Sequence, residues 1–231
     1  MRQKKEQLKS LKKNRSHSHR VGVVPSSDTS RGTITEHSMD SVPSTKVVRS
    51  TRAVRRACIQ VLLEKFPNQV VRSKQDLQAH AHDWSWHPHH APDAVVYPGS
   101  TEDVSSIVKI CARYAMPIVP FGCGTSLEGH VQAIEGGVCV DMSRMNKIIA
   151  VHEVDQLVEV EAGVTYLQLK EYLKDQAYHF PIGPEIEASL GGFAANGASG
   201  THAVRYGTMR DNVQSLQGDA GWGYHGNRNL E

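Results

Sequence analysis

Residues 120–130, with the sequence PFGCGTSLEGH, combine the residue types that bind anions through the backbone. Three glycines, Gly122, Gly124 and Gly129, flank a Thr-Ser pair. Glycine adopts positive φ readily and lets a ligand approach the backbone, while successive free N–H groups can form a concave nest for an anion. The segment therefore predicts a phosphate or pyrophosphate site, with a tight glycine turn between two strands as the alternative interpretation.

A second glycine-rich stretch covers residues 183–212 and reads GPEIEASLGGFAANGASGTHAVRYGTMRDN. A helix that begins near Ser189 would carry Gly191, Gly192 and Gly197, and would be nearly bare of side chains. Each internal glycine costs about 1 kcal/mol relative to alanine, so such a helix is a poor stabilising element. The pattern predicts that a bulky planar ligand packs against it.

Residues 80–90 read HAHDWSWHPHH, with five histidines and one aspartate that could coordinate a metal ion. Coordination requires neutral imidazoles that converge from a fixed scaffold. Pro88 and the two tryptophans predict an irregular loop instead. A solvated or packed loop is the favoured interpretation, a His-rich metal-binding protein is the alternative, and no metal ligand is assigned.

The elements that would position the first glycine segment form a βαβ unit. Residues 94–97 predict a short buried strand, Ser100 predicts the N-cap of a helix, and residues 118–121 predict a second strand. Such a unit implies that its two strands form a parallel pair, and ligands bind at the carboxyl ends of such strands. The glycine segment leaves that end, which favours the ligand interpretation. Further elements are predicted at 51–66 (helix), 137–141, 148–151 and 157–160 (strands) and 165–175 (helix), which gives a mixed α+β domain of short strands.

Composition limits the class of protein. The 231 residues suffice for one domain, or one and a half, with a tail. The net charge of +2 gives no reason to expect a nucleic-acid partner for the chain as a whole. Four widely spaced cysteines without a C-x-x-C pair indicate reduced thiols. No apolar run is long enough for a membrane-spanning helix.

Residues 1–50 are basic and rich in Ser and Thr, and we expect them to be disordered. The segment loosely fits a mitochondrial transit peptide, although its Lys-rich opening and Glu6 weaken the match. A basic nucleic-acid arm is the other interpretation, and Met39 could be a second start. Mitochondrial localisation is therefore expected, with the cytoplasm as the alternative.

The two glycine-rich stretches, in this order and at this separation, resemble the FAD-binding domain of the vanillyl-alcohol-oxidase superfamily. Within it they are most similar to the branch that contains D-lactate dehydrogenase (cytochrome) and the glycolate-oxidase flavin subunit. The resemblance covers about residues 93–216. It implies an α+β fold in which two α+β subdomains with short mixed strands bind FAD, followed in the family by a C-terminal cap domain that is missing from this chain.

In that family the first loop wraps the FAD pyrophosphate, and the second stretch lines the flavin and its ribityl chain. Non-covalent FAD is expected, and Cys123 occupies a variable position. The resemblance implies these cofactor-binding residues: Gly122, Gly124, Thr125, Ser126, Gly129 and His130 in the first loop, and Pro184, Ser189, Gly191, Gly192, Gly200, Thr201, Tyr206 and Gly207 in the second.

The chemistry implied by the resemblance is oxidation of a D-2-hydroxy acid, D-lactate in particular, with the flavin accepting a hydride and a protein such as cytochrome c accepting the electrons. In the family the histidine base and the carboxylate clamp come from the cap domain. No catalytic residue is therefore assigned, and this chain is expected to be inactive on D-lactate. A catalytically dead FAD-binding fragment is the alternative interpretation.

The last residues, QGDAGWGYHGNRNLE from Gln217, depart from the family, which continues with an apolar strand and an Asp-Gly hairpin turn. A shift of one base would permit RVMLDGVTMET, so an altered reading frame is our hypothesis for this tail. Loss of the hairpin would expose a sheet edge. The predicted division is a leader at 1–50, a helix and His-rich loop at 51–92, an incomplete FAD-binding domain at 93–216 and an aberrant tail at 217–231.

Overall fold

A computed structural model describes residues 50–176, 178–183, 186–219 and 225–229. The predictions for the basic leader lie outside these ranges, apart from its last residue. The helices are α1 (Arg52–Lys65), α2 (Lys74–Ala79), α3 (Thr101–Arg113), α4 (Tyr166–Leu173), α5 (Leu190–Asn196), α6 (Ala203–Tyr206) and α7 (Met209–Asn212), with a 3-10 helix at Met142–Arg144. The strands are β1 (Val70–Val71), β2 (Ala94–Val96), β3 (Ile118–Phe121), β4 (Val138–Asp141), β5 (Ile148–His152), β6 (Leu157–Val160), β7 (Ser215–Asp219) and β8 (His225–Asn229).

The first sheet has the strand order β1-β2-β4-β3. The predicted direct pairing of β2 with β3 is wrong, because β4 lies between them and pairs parallel with both. All four residues of β4 are buried, which suits an interior strand with neighbours on both sides. Val96 pairs with Val140 and Phe121 with Asp141, so the carboxyl ends of β2, β3 and β4 meet at one edge.

Helices α1 and α3 pack together over this sheet, so residues 51–92 contribute to the same core as the strands that follow. Cys58 and Leu62 of α1 and Ile107 and Cys111 of α3 are fully buried. The first turn of α3 carries Glu102 and Asp103, where acidic side chains suit the helix dipole. The helices predicted at 51–66 and after Ser100 are therefore confirmed.

Ser100 caps α3 as predicted, because its side-chain oxygen accepts a hydrogen bond from the Asp103 N–H at 3.1 Å. We expect Ser100→Ala to lower the free energy of unfolding by about 1 kcal/mol, since that N–H loses its partner. Urea unfolding measures the change. Ser143→Ala is the control, because Ser143 is exposed and caps no helix with its side chain. Equal unfolding midpoints for the two variants would contradict this role of Ser100.

The second subdomain is built on the antiparallel pair β5–β6 and on α4, α5 and α7. Its core contains Val164, Leu169 and Ile182, all fully buried, together with Phe193 from α5 and Met209 from α7. Each subdomain thus has its own hydrophobic cluster. The predicted fold class, two α+β subdomains with short mixed strands, is confirmed.

Gly163 lies where the two subdomains meet. Its N–H donates to the Met145 carbonyl oxygen at 2.8 Å, which ties the third residue after β6 to the residue after the 3-10 helix. A Cβ atom at position 163 would overlap the Met142 carbonyl oxygen and would lie 2.7 Å from the Met145 carbonyl oxygen. The backbones approach so closely that only glycine fits between them.

Two strands of the described tail pair with each other, although the tail lacks the apolar strand and the Asp-Gly turn expected for the family. Strands β7 and β8 pair antiparallel in five register positions, from Ser215 with Asn229 to Asp219 with His225. The predicted boundary at residue 216 falls inside β7. The reading-frame hypothesis stays a prediction, and sequencing the transcript across the codon for Leu216 tests it.

None of the helices in the described part of the chain is both long enough and apolar enough to span a membrane.

Candidate cofactor-binding site

The first glycine segment begins at the carboxyl end of β3, as predicted. Gly124 and Gly129 have φ of 67° and 77°, which is the left-handed region that favours glycine. Within the described part of the chain, no backbone carbonyl accepts a hydrogen bond from the N–H groups of Cys123, Gly124 or Thr125. These three N–H groups are therefore available to an anion.

The two glycine-rich stretches meet at Gly122 and Ser189. A Cβ atom at position 122 would overlap the Ser189 hydroxyl and lie 3.2 Å from the Ser189 Cβ. Ser189 is buried and caps α5, because its hydroxyl accepts a hydrogen bond from the Gly192 N–H at 3.2 Å. The start of the first glycine segment is thus packed directly on the start of α5.

Helix α5 is less bare than the sequence suggested. Leu190 and Phe193 are buried in the core of the second subdomain. Gly191 packs against Ala162, whose carbonyl oxygen would lie 2.7 Å from a Cβ atom at position 191. Gly197 is the left-handed C-cap, with φ of 63°. Close packing against Ala162 therefore accounts for glycine at position 191, and the left-handed C-cap accounts for glycine at position 197. The planar ligand stays a prediction.

The remaining residues of the second predicted group lie elsewhere. Thr201 and Tyr206 line a pocket of about 630 Å³. The Tyr206 ring makes edge contacts with His179 and His202, with centroids 5.8 and 6.3 Å apart. Gly200 and Gly207 have positive φ and flank this segment. Pro184 lies outside the described residues. None of the predicted residues between 122 and 130 lines this pocket. The predicted residues therefore include two separate groups: a loop group at 122–130 and a pocket group made of Thr201 and Tyr206.

The His-rich segment supports the glycine loop. The Trp84 N–H donates to the Ser126 carbonyl oxygen at 2.9 Å, and the His87 ring occupies the space beside Gly129 that a Cβ would need. Gln132, which follows the loop, donates to the Asp83 carboxylate at 3.2 Å. The segment therefore contacts the glycine loop, while most of its side chains face solvent. Among the described residues, no group of three or more His, Cys, Asp or Glu side chains converges to hold a metal.

Two ionisable groups beside the loop have shifted pKa values. Burial pushes the pKa of Asp83 upward, but hydrogen bonds from Ser85, Gln132 and the Gly129 N–H outweigh it, so the pKa lies below its usual value. Burial and the nearby Glu187 charge raise the pKa of the Cys123 thiol against the Ser189 hydrogen bond. A protonated thiol is a poor nucleophile. Non-covalent binding of FAD stays a prediction.

The donor set of the loop fits a diphosphate. The three N–H groups that donate to no backbone carbonyl among the described residues lie in one turn with the half-buried residues Thr125 and Ser126, and Ser126 Oγ is 3.1 Å from His130 Nδ1. Glycine at 122 and 124 leaves the backbone open to close approach. The cradle suits the pyrophosphate of a dinucleotide such as FAD.

Comparison with known proteins identifies the class. Residues 92–218 match the FAD binding domain family, and the chain belongs to that family. FAD is accordingly its cofactor. Solved structures with the same fold include an alkyldihydroxyacetonephosphate synthase, with a TM-score of 0.65 and 26% identity over 70% of this chain and 36% of that chain. A BBE-like 1 variant from Physcomitrella patens shares the fold, with a TM-score of 0.64 and 21% identity over 75% of this chain and 38% of that one.

The similar curated proteins carry more specific names. The chain is 50% identical over 140 residues to "Probable D-lactate dehydrogenase, mitochondrial" of Danio rerio, which covers 61% of this chain and 28% of that protein. It is 53% identical over 126 residues to "D-lactate dehydrogenase [cytochrome], mitochondrial" of Arabidopsis thaliana, which covers 54% and 22%. The chain therefore spans about a quarter of the length of these relatives.

Proposed function

We propose that this chain is the FAD-binding part of a mitochondrial D-2-hydroxy-acid dehydrogenase that oxidises D-lactate and passes the electrons to a cytochrome. The observation that carries the proposal is the contact of Gly122 with Ser189, which joins the two glycine-rich stretches at the carboxyl end of β3. The names of the similar proteins from Danio rerio and Arabidopsis thaliana support the substrate and the compartment. The basic leader agrees with import into mitochondria.

In this proposal the loop group binds the pyrophosphate. The N–H groups of Cys123, Gly124 and Thr125 donate to phosphate oxygens, and the Thr125 and Ser126 hydroxyls add further donors. Bound FAD supplies the electron-accepting chemistry. The pocket at Thr201 and Tyr206 contributes to the surface that faces the flavin. No described residue is assigned as the base that removes the substrate proton.

D-2-hydroxyglutarate is the competing substrate. A D-2-hydroxyglutarate dehydrogenase of Escherichia coli is 45% identical over 134 residues, which is 54% of this chain and 13% of that protein. D-lactate is proposed because the relatives with higher identity carry that name. Anaerobic reduction of the flavin by one acid or the other, in a gene product that joins these residues to a substrate domain, distinguishes the two.

The purified 231-residue chain is expected to retain one FAD through gel filtration and to leave that flavin oxidised when D-lactate is added. Retention follows from the loop and its contact with Ser189. Inertness is proposed because the chain spans only about a quarter of the length of the related dehydrogenases. Flavin absorbance before and after anaerobic addition of D-lactate measures both. Failure to retain FAD would overturn the proposed function. Bleaching by D-lactate would show that the chain holds its own catalytic groups.

A further inference from the structure

His80 is a buried histidine at the C-cap of α2, with 5% of its surface exposed. Its Nδ1 lies 2.8 Å from the Asp76 carbonyl oxygen, and its Nε2 lies 2.8 Å from Asp141 Oδ2. Asp141 is the last residue of β4 and is itself buried. The ring therefore links α2 to the edge of the sheet at which the first glycine segment begins.

Both ring nitrogens of His80 face acceptors. A carbonyl oxygen and a carboxylate can only accept, so both hydrogen bonds form together only when both nitrogens carry protons, that is, in the imidazolium. A neutral ring would direct a lone pair at one of the two oxygens. The geometry thus favours a charged His80 paired with a charged Asp141.

The surroundings of His80 favour the same state. Burial lowers its pKa, but the Asp141 hydrogen bond, the Asp76 carbonyl and the charges of both carboxylates outweigh that effect and raise it above the ordinary value. The Tyr97 ring also makes an edge contact with His80, with centroids 5.9 Å apart. The Arg144 guanidinium lies over the Tyr97 ring, 4.7 Å from its centroid.

Phe121 connects His80 to the first glycine segment. The two rings lie 4.6 Å apart, and Phe121 is the register partner of Asp141. Phe121 immediately precedes Gly122, and its ring lies 2.8 Å from the position that a Cβ atom of Gly124 would occupy. The position of the Phe121 ring therefore constrains the first turn of the loop from inside the protein.

We propose that His80 is a positioning residue for the FAD pyrophosphate: as an imidazolium held by the Asp76 carbonyl and Asp141, it fixes Phe121 and, through Phe121, the Gly122–Gly124 turn. This rests on the proposed FAD binding. The stabilisation is present while His80 is protonated and is lost as the pH rises through its raised pKa. FAD affinity consequently decreases toward alkaline pH.

The dissociation constant for FAD, measured by flavin fluorescence on the full chain at pH values from about 6 to about 9, tests the proposal. We expect the wild-type affinity to fall about tenfold across this range, and His80→Gln to bind about tenfold more weakly at the acidic end with little pH dependence. His152→Gln is the matched control, because His152 pairs with Glu159 at 4.0 Å on the exposed surface. It is expected to behave as the wild type does.

An unchanged affinity and pH profile in His80→Gln would overturn the proposal. If that variant does not fold, Asp141→Asn replaces it, and nitrogen NMR of the wild-type His80 ring in the absence of FAD gives an independent measurement. Two protonated ring nitrogens at neutral pH are expected, and a neutral ring would overturn the proposal. A wild-type chain that binds no FAD at any pH would overturn the proposed function and this inference together. Wild-type binding with an unaffected variant would overturn only the inference.

Discussion

Gly163→Ala is expected to lower the free energy of unfolding by about 3 kcal/mol. The added methyl group would overlap the Met142 carbonyl oxygen and lie 2.7 Å from the Met145 carbonyl oxygen and 2.9 Å from the Met142 carbonyl carbon. All three atoms belong to the backbone, so no side-chain rotation can relieve the overlap. The backbone must shift, which stretches the 2.8 Å hydrogen bond from Gly163 to Met145 and separates the subdomains.

Urea unfolding followed by circular dichroism measures this loss, with Gly99→Ala as the matched control. The atoms nearest to a Cβ at position 99 are Asp103 Oδ2 at 3.6 Å and Gln69 Nε2 at 3.9 Å, which is ordinary van der Waals contact. Both atoms belong to side chains that can adjust. The control should unfold at nearly the wild-type urea concentration. Equal unfolding midpoints for both variants would show that the junction at Gly163 tolerates a side chain.

Gly122→Ala is expected to weaken FAD binding about 100-fold, because loss of two hydrogen bonds to a charged phosphate costs about 3 kcal/mol. The methyl group would occupy the position of the Ser189 hydroxyl, so either the loop moves outward or the hydroxyl leaves the α5 cap. Loss of the cap costs about 1 kcal/mol of stability, whereas movement of the loop misplaces the N–H groups that bind phosphate. Equilibrium dialysis with FAD measures the affinity.

A second substitution separates steric overlap from other effects of Gly122→Ala. Ser189→Gly removes the hydroxyl that the methyl group would meet, and glycine at an N-cap costs only a few tenths of a kcal/mol relative to serine. The double variant Gly122→Ala/Ser189→Gly should therefore bind FAD more tightly than Gly122→Ala alone, with a coupling between the two sites in a double-mutant cycle. If the losses of FAD affinity in the two single variants simply add in the double variant, direct contact between positions 122 and 189 is not the cause.

Local features of this fold could be read from the sequence because their causes are local. Ser100 caps a helix and a helix begins at Ser189 as expected, since a capping hydroxyl needs only an N–H three residues ahead. The glycine segment follows β3 because a short β-type run and its breakers are adjacent in the chain. These predictions depend on neighbours along the chain, and the structure confirms them.

Features that depend on distant residues were predicted poorly. The place of β4 between β2 and β3 follows from pairing across long connections that carry no periodic signal. Gly191 looked like a ligand-facing position because Ala162, which packs on it, is remote in sequence. His80 was grouped with its neighbouring histidines as a possible metal ligand, whereas its partner Asp141 lies 61 residues away. A lone Asp at the end of a strand gave no signal of that pairing.

The segment that supports the glycine loop also gives the protein an optical reporter. Trp84 and Trp86 are 61% and 87% exposed, and the chain contains only three tryptophans. The Trp84 backbone N–H donates a hydrogen bond to the Ser126 carbonyl oxygen. The Trp86 indole stacks on the His87 ring, with centroids 4.8 Å apart, and the His87 ring lies beside Gly129. Intrinsic emission from these two indoles therefore reports on the order of the loop itself, so loading of the cofactor can be followed without any attached dye.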